Sequence, residues 1–167
     1  GADLDDLAVE RAMLLVARDR RDEARRLLAD TVRRDASRRA VWLALALMAA
    51  EDGDEAGLAK AVKELEGAPN FAPGQLFLAD LALQRADGAA ARDHLERAAA
   101  YDRSNLAVWE RWATLDYMEG RRADAARRAG EVLAQDPGNG TAYYILGMVH
   151  LQEGRADLAE AALRRSL

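Results

Sequence analysis

The sequence predicts an all-α fold, an α-solenoid of about five stacked helix-turn-helix units, and three observations carry this prediction. Ala91, Ala125 and Ala159 stand 34 residues apart, and neighbouring residues recur with them, as Asn105 returns at Asn139. A period of this length is typical of stacked helical hairpins. The chain is rich in alanine, the strongest helix former, and lacks the runs of Val, Ile and Thr that strands favour. Helix-breaking residues recur at matching intervals.

Counting outward from the three alanines gives a single array in which each unit holds a helix A, a tight turn and a helix B. The units are residues 5–38, 39–71, 72–105, 106–139 and 140–167, with the second one residue short of the period. The turns within the units are predicted at residues 19–22, 52–54, 86–88, 120–121 and 154–155. Glycine in four of these turns supplies the positive φ that ends a helix. Breakers at residues 69–70, 103–105 and 136–139 separate successive units.

The best-matched units share an aromatic near the start of helix A, a small residue later in helix A and an alanine in helix B. These residues are Trp109, Trp112, Ala113, Gly120, Ala125 and Pro137 in the fourth unit, and Tyr143, Leu146, Gly147, Gly154 and Ala159 in the fifth. The third unit keeps Leu78, Ala79, Ala91, Leu95 and Ala98. The second keeps Trp42 and Ala46 but has Leu58 at the alanine position, and the first keeps Ala12 and Ala24 with Arg11 at a leucine position.

This pattern resembles the tetratricopeptide repeat family, in phase over essentially the whole chain. The resemblance implies a right-handed superhelix whose concave side is lined by the A helices. It also implies a partner-binding groove formed by residues at a few fixed positions of helix A. At these positions the chain has mostly apolar residues with scattered acids, and the predicted binding residues are Leu43, Leu47, Leu76, Asp80, Leu83, Glu110, Thr114, Tyr117, Tyr144 and Met148.

The groove composition predicts what kind of partner fits. Family members that capture acidic chaperone tails carry Lys, Arg and Asn at these positions, and none of those residues occurs in the predicted set. An extended or helical segment with apolar side chains suits the groove better, with a basic residue facing Asp80 or Glu110. The competing interpretation is that several of these side chains simply pack between neighbouring A helices.

The net charge argues against nucleic acid as a partner. The chain has 24 basic and 29 acidic residues, a formal charge of −5, whereas binding without sequence preference depends on neutralising phosphates. An alternative function nevertheless stays open, because Trp109, Trp112, Asp116 and Gly120 resemble the half-a-tetratricopeptide repeats of RNA-processing scaffolds. We therefore carry two hypotheses: a protein-interaction scaffold, and a half-a-tetratricopeptide-like scaffold of a nucleic-acid-processing complex.

No motif for catalysis, cofactor binding or metal binding is present. The chain has no cysteine and only two histidines, which fall in different units, and it has no phosphate-binding glycine loop, dinucleotide fingerprint or Gly-x-Ser-x-Gly motif. We expect a non-catalytic protein without cofactor or metal.

Features outside the repeats concern cellular context. No apolar run is long enough to span a bilayer and no targeting segment follows Gly1. We therefore expect no membrane insertion in this segment, and the compartment stays open between bacterial cytoplasm and periplasm. The arginine- and alanine-rich composition favours a bacterial gene, and we expect the chain to be a fragment of a longer assembly protein.

Leu158, Leu163 and Leu167 leave an apolar face at the C-terminal end of the array. This face predicts either further repeats or self-association through it.

Overall fold

The structure, a computed structural model, describes residues 2–101 and 104–167, with side chains from Leu7 onward. These residues form ten α-helices and no strand, which confirms the all-α prediction. Arg103, part of the predicted breaker at residues 103–105, lies outside the described residues. The helices are α1 (Ala2–Ala17), α2 (Arg21–Arg34), α3 (Arg39–Asp52), α4 (Glu55–Glu66), α5 (Ala72–Gln84), α6 (Gly88–Tyr101), α7 (Leu106–Met118), α8 (Arg122–Gln135), α9 (Gly140–Gln152) and α10 (Ala156–Arg165).

Several helices begin at a polar residue that caps the first turn. Asp54 accepts a hydrogen bond from the backbone N–H of Gly57 at 2.9 Å, and Asn139 accepts one from Ala142 at 2.9 Å. Asn105 plays the same part at the start of α7. Such caps satisfy backbone donors that have no partner within the helix, and each contributes about 1 kcal/mol.

One backbone position has a left-handed conformation in every helix A to helix B turn. It is occupied by Asp19, Gly53, Ala86, Gly120 and Gly154, with φ values of 59°, 67°, 56°, 75° and 74°. The prediction that glycine ends the helix in the turn at residues 86–88 is wrong. Gly88 is instead the first residue of α6, and the positive φ falls on Ala86, because the position is set by the repeat and not by the nearest glycine.

We expect Ala86→Gly to raise the free energy of unfolding by about 0.5–1 kcal/mol. An alanine in this conformation strains its Cβ against the backbone, whereas glycine does not. The matched control is Gly120→Ala, which introduces the same strain at the equivalent position and should destabilise by a similar amount. A Cβ at Gly120 meets nothing within 4 Å, so the control tests backbone conformation alone. Urea denaturation checks both variants, and equal effects of the same sign would contradict the explanation.

The chain divides into two compact blocks, each with its own apolar core. The N-terminal block is Gly1–Leu78 and the C-terminal block is Ala79–Leu167. In the N-terminal block Leu58, which replaces the alanine of the repeat pattern, packs against a core that includes Leu28, Val41, Trp42 and Leu65. The core of the C-terminal block includes a cluster of Ala113, Ala125, Ala129, Val132, Ala142, Ile145 and Val149.

The small residues of the pattern lie where helices approach each other. Ala24, Ala91 and Ala125 are fully buried, and Ala159 is 2% exposed. An alanine at a helix crossing lets the two axes come close while larger neighbours fill the space beside it. None of the described helices combines the length and apolar character needed to cross a bilayer.

Candidate partner-binding groove

An open groove in the N-terminal block runs between α1 and α3. Helix α1 contributes Val9, Met13 and Val16, and α3 contributes Leu43 and Leu47, because residues three or four apart share one face of a helix. The groove has a volume of about 630 Å³. Its floor and walls are completed by Ala12, Ala17, Arg21, Leu28, Ala40, Ala44, Met48, Glu51, Phe71 and Pro73.

Two large apolar side chains in the groove are exposed to solvent. Met13 is 66% exposed and Leu47 is 46% exposed, although both lie beside residues of the block's core. Methionine adapts its shape to different apolar surfaces. The groove is therefore able to bury apolar side chains of a partner.

The charged residues at the rim of the groove are already paired. Arg21 donates hydrogen bonds to Glu51 at 2.6 Å and to Asp52 at 2.7 Å, and Arg25 also pairs with Asp52. The hydrogen bond with Glu51 raises the pKa of the Arg21 guanidinium above its ordinary value, so the arginine keeps its charge. Since these charges satisfy one another, the groove offers apolar contact more than ionic contact.

Asp80 and Glu110, predicted as partner-binding acids, bind side chains of the chain itself. Arg111 donates to Asp80 through Nε at 2.6 Å and Nη2 at 2.8 Å, the two-pronged geometry that suits a carboxylate. Asn139 donates from Nδ2 to Glu110. A basic partner residue that faces these acids would therefore first have to displace Arg111 or Asn139.

The other predicted residues of the C-terminal block lie in varied surroundings. The Thr114 hydroxyl donates to the Glu110 carbonyl at 3.0 Å, and Gln152 donates to the Tyr117 hydroxyl at 3.0 Å. Tyr144 is 49% exposed on α9, and Met148 is half buried.

Two further predicted residues lie outside the groove. Leu76, on α5 in the N-terminal block, is half buried and is not part of the groove lining. Leu83 lies in a separate depression of about 340 Å³ beside Gly88, Leu115 and Met118. Of the predicted set, the structure places Leu43 and Leu47 in the groove.

Three of the four residues behind the nucleic-acid alternative, Trp109, Trp112 and Asp116, form a cluster around Arg128. Asp116 is only 2% exposed, and its two oxygens accept hydrogen bonds from Arg121 at 2.9 and 2.5 Å and from Arg128 at 2.7 Å. The Arg128 guanidinium lies over the rings of Trp109 and Trp112, 5.4 and 5.3 Å from their centres. Packing within the C-terminal block thus explains this part of the pattern, and it does not favour the alternative.

Among the described side chains, those of residues 7–101 and 104–167, no group of three or more His, Asp or Glu is arranged to hold a metal ion. The chain has no cysteine to add to such a group.

Comparison with solved structures supports the repeat architecture. PilW, described as a widely conserved type IV pilus biogenesis factor, matches with a TM-score of 0.82 at 15% identity, over 98% of this chain and 76% of that chain. A tetratricopeptide repeat protein from Parabacteroides merdae matches with a TM-score of 0.78 at 13% identity, over 96% and 63% of the two chains. MamA matches with a TM-score of 0.71 at 17% identity, over 100% and 92%. These likenesses confirm an all-α solenoid of helix-turn-helix repeats.

Comparison with models of sequence families also supports the repeat architecture. Among proteins with curated descriptions, none matches this chain. The family model for the tetratricopeptide repeat, however, matches residues 9–73 and 110–167, which together are well over half of the chain. The chain therefore belongs to the tetratricopeptide repeat family.

Proposed function

We propose that the chain is a non-catalytic protein-interaction scaffold that binds an apolar segment of a partner protein in the groove between α1 and α3. The observation that carries this proposal is the exposure of Met13 and Leu47 in an apolar groove of about 630 Å³. Leaving such side chains in water costs free energy that burial against a partner recovers, at roughly 25 cal/mol for each Å². A role inside a larger bacterial assembly, expected from the sequence, is part of the same proposal.

The chemistry of the rim defines the partner further. Arg21, Glu51 and Asp52 satisfy one another, so a charged partner residue gains little at the groove and would pay for its desolvation. An amphipathic helix fits, with large apolar side chains spaced three and four residues apart on the face that enters the groove. Other predicted binding residues are Leu76 and those of the C-terminal block: Asp80, Leu83, Glu110, Thr114, Tyr117, Tyr144 and Met148.

Peptide selection tests the site without knowledge of the natural partner. We expect a random peptide library selected on the chain to yield peptides rich in Leu, Ile, Met and Phe. Leu47→Glu should weaken their binding about tenfold or more, since a charge in an apolar contact costs at least 1.4 kcal/mol. Fluorescence anisotropy with labelled peptides measures the dissociation constants.

Two matched variants make this experiment decisive. Leu158→Glu places the same charge at a leucine of similar exposure on α10, 52% against 46% for Leu47, and should leave peptide binding unchanged. Tyr144→Glu reports whether the site includes that predicted residue of the C-terminal block. Peptides that bind the Leu47→Glu protein within twofold of the original would contradict the proposed groove.

A further inference from the structure

The end of α9, helix α10 and the residues just after it form an apolar face, here called the α10 face and defined by Leu151, the half-buried Leu163 and Leu167. Leu151 is 54% exposed and Leu167 is fully exposed. Together with Ala156 and Ala159 these residues line a depression of about 350 Å³. Comparison with the preceding repeat shows what kind of helix packs on the equivalent surface.

Residues 34 positions earlier occupy the same places in the preceding repeat. Leu151 corresponds to Tyr117, Leu163 to Ala129 and Leu167 to Leu133. Ala129 belongs to the core cluster of the C-terminal block, and Tyr117 and Leu133 pack against it. The same cluster contains Ala142, Ile145 and Val149 of α9. One repeat earlier, therefore, the equivalent surface is covered by the A helix that follows it.

Helix α1 has an exposed apolar face of the kind through which an A helix packs on the preceding repeat. Leu7 and Leu14 are both 59% exposed, and with Arg11 between them they define the α1 face. In α5 the same two repeat positions hold the buried Gly74 and the half-buried Leu81, and in the other three A helices both positions are buried. They are Val41 and Met48 in α3, Val108 and Leu115 in α7, and Ala142 and Val149 in α9, all between 0% and 8% exposed. Within the described residues, the α1 face is thus an A-helix packing face that no B helix covers.

We propose that the α1 face of one copy packs onto the α10 face of a second copy, as an A helix packs on the preceding repeat. The two faces are apolar, and they lie at the repeat positions through which an A helix and the repeat before it pack. Glu160 beside the α10 face is already paired with Arg164 at 2.5 Å, so apolar packing carries the contact. The contact continues the stacking within each copy and does not use the groove between α1 and α3.

This mode of association is head-to-tail, because the two contacting surfaces are different. A copy bound through its α1 face still has a free α10 face, so association continues beyond a dimer unless the geometry closes a ring. The expected behaviour is a rise in average mass with concentration. A symmetric contact between two α10 faces would stop at a dimer instead.

The experiment uses two variants that each remove one face. Leu7→Glu with Leu14→Glu removes the α1 face, and Leu151→Glu with Leu167→Glu removes the α10 face. All four leucines are at least half exposed, so the variants should fold, which circular dichroism checks. By light scattering and sedimentation velocity we expect each variant alone to be a monomer at concentrations where the original chain associates.

An equimolar mixture of the two variants gives the decisive result. Each variant keeps the face that the other lacks, so the mixture should form a heterodimer that grows no further. Leu158→Glu is the control on α10 itself, because its equivalent one repeat earlier, Asp124, is an exposed charged residue while α9 is in place. That control should associate as the original chain does, and so should Leu47→Glu in the groove.

Three outcomes would overturn the proposal. An original chain that stays monomeric up to millimolar concentration would show that the two faces do not bind each other. Association that survives removal of the α1 face would indicate a symmetric α10 contact. Loss of association in the Leu158→Glu control would indicate unspecific apolar aggregation.

Discussion

Asp116→Asn is expected to lower the free energy of unfolding by about 3 kcal/mol. The substitution keeps the shape of the side chain but removes the negative charge that holds Arg121 and Arg128. Removing one partner from a buried ion pair typically costs 3–5 kcal/mol. The lower end applies here, because the arginine side chains are 36% and 21% exposed and recover some hydration.

Glu119→Gln is the matched control within the same network. Glu119 pairs with Arg92 and Arg121, but its side chain is 28% exposed whereas that of Asp116 is 3% exposed. An accessible ion pair contributes no more than about 1 kcal/mol. Chemical denaturation of both variants measures the difference, and equal losses would show that burial of Asp116 is not what makes it important.

Gly147→Val is expected to destabilise the protein by about 3 kcal/mol. A Cβ built at Gly147 lies 2.6 Å from Cγ and 2.7 Å from Cδ2 of Leu163, far inside contact distance, and 3.3 Å from the carbonyl oxygen of Ala159. Even alanine overpacks this crossing of α9 and α10, and overpacking costs typically 1–3 kcal/mol. The two further methyl groups of valine place it at the top of that range, measured as a fall in melting temperature and in the urea midpoint.

Two companion variants separate crowding from the loss of a glycine. Gly130→Ala makes a change of the same kind in the middle of α8, where a Cβ meets nothing within 4 Å, and it should stabilise by about 0.5–1 kcal/mol. Leu163→Ala in the Gly147→Ala background should recover part of the loss, because it removes the clashing atoms. Additive effects of the two substitutions would exclude a clash with Leu163.

The repeat period predicts much of the fold because helix propensity, breakers and small residues all agree with it. The residue types at Asp19 and Ala86 do not predict their left-handed conformation, since neither residue favours positive φ as strongly as glycine does. The repeat register contained that information, because the same position is glycine in three other turns. Repeat register therefore predicts the backbone conformation of a turn position better than the type of the residue at that position does.

The candidate site was less predictable than the fold. Leu43 and Leu47 follow from repeat position and helical spacing, and both line the groove. The pairing of Asp80 with Arg111 joins residues 31 apart on different helices, and no local pattern reports it. The pairing of Arg128 with the buried Asp116 was equally hard to predict, because the two residues lie on different helices. Side-chain partners across a helix interface depend on the packing of that interface.

The tryptophans give each block its own optical reporter. The chain has three, and the structure places Trp42 in the N-terminal block and Trp109 and Trp112 in the C-terminal block. The indole of Trp42 donates to the Ala36 carbonyl at 2.9 Å, whereas the other two rings flank the Arg128 guanidinium. Replacing Trp42 by phenylalanine leaves an emission that comes from one block alone. Fluorescence thus offers a way to learn whether a short array of repeats melts as one body or in two steps.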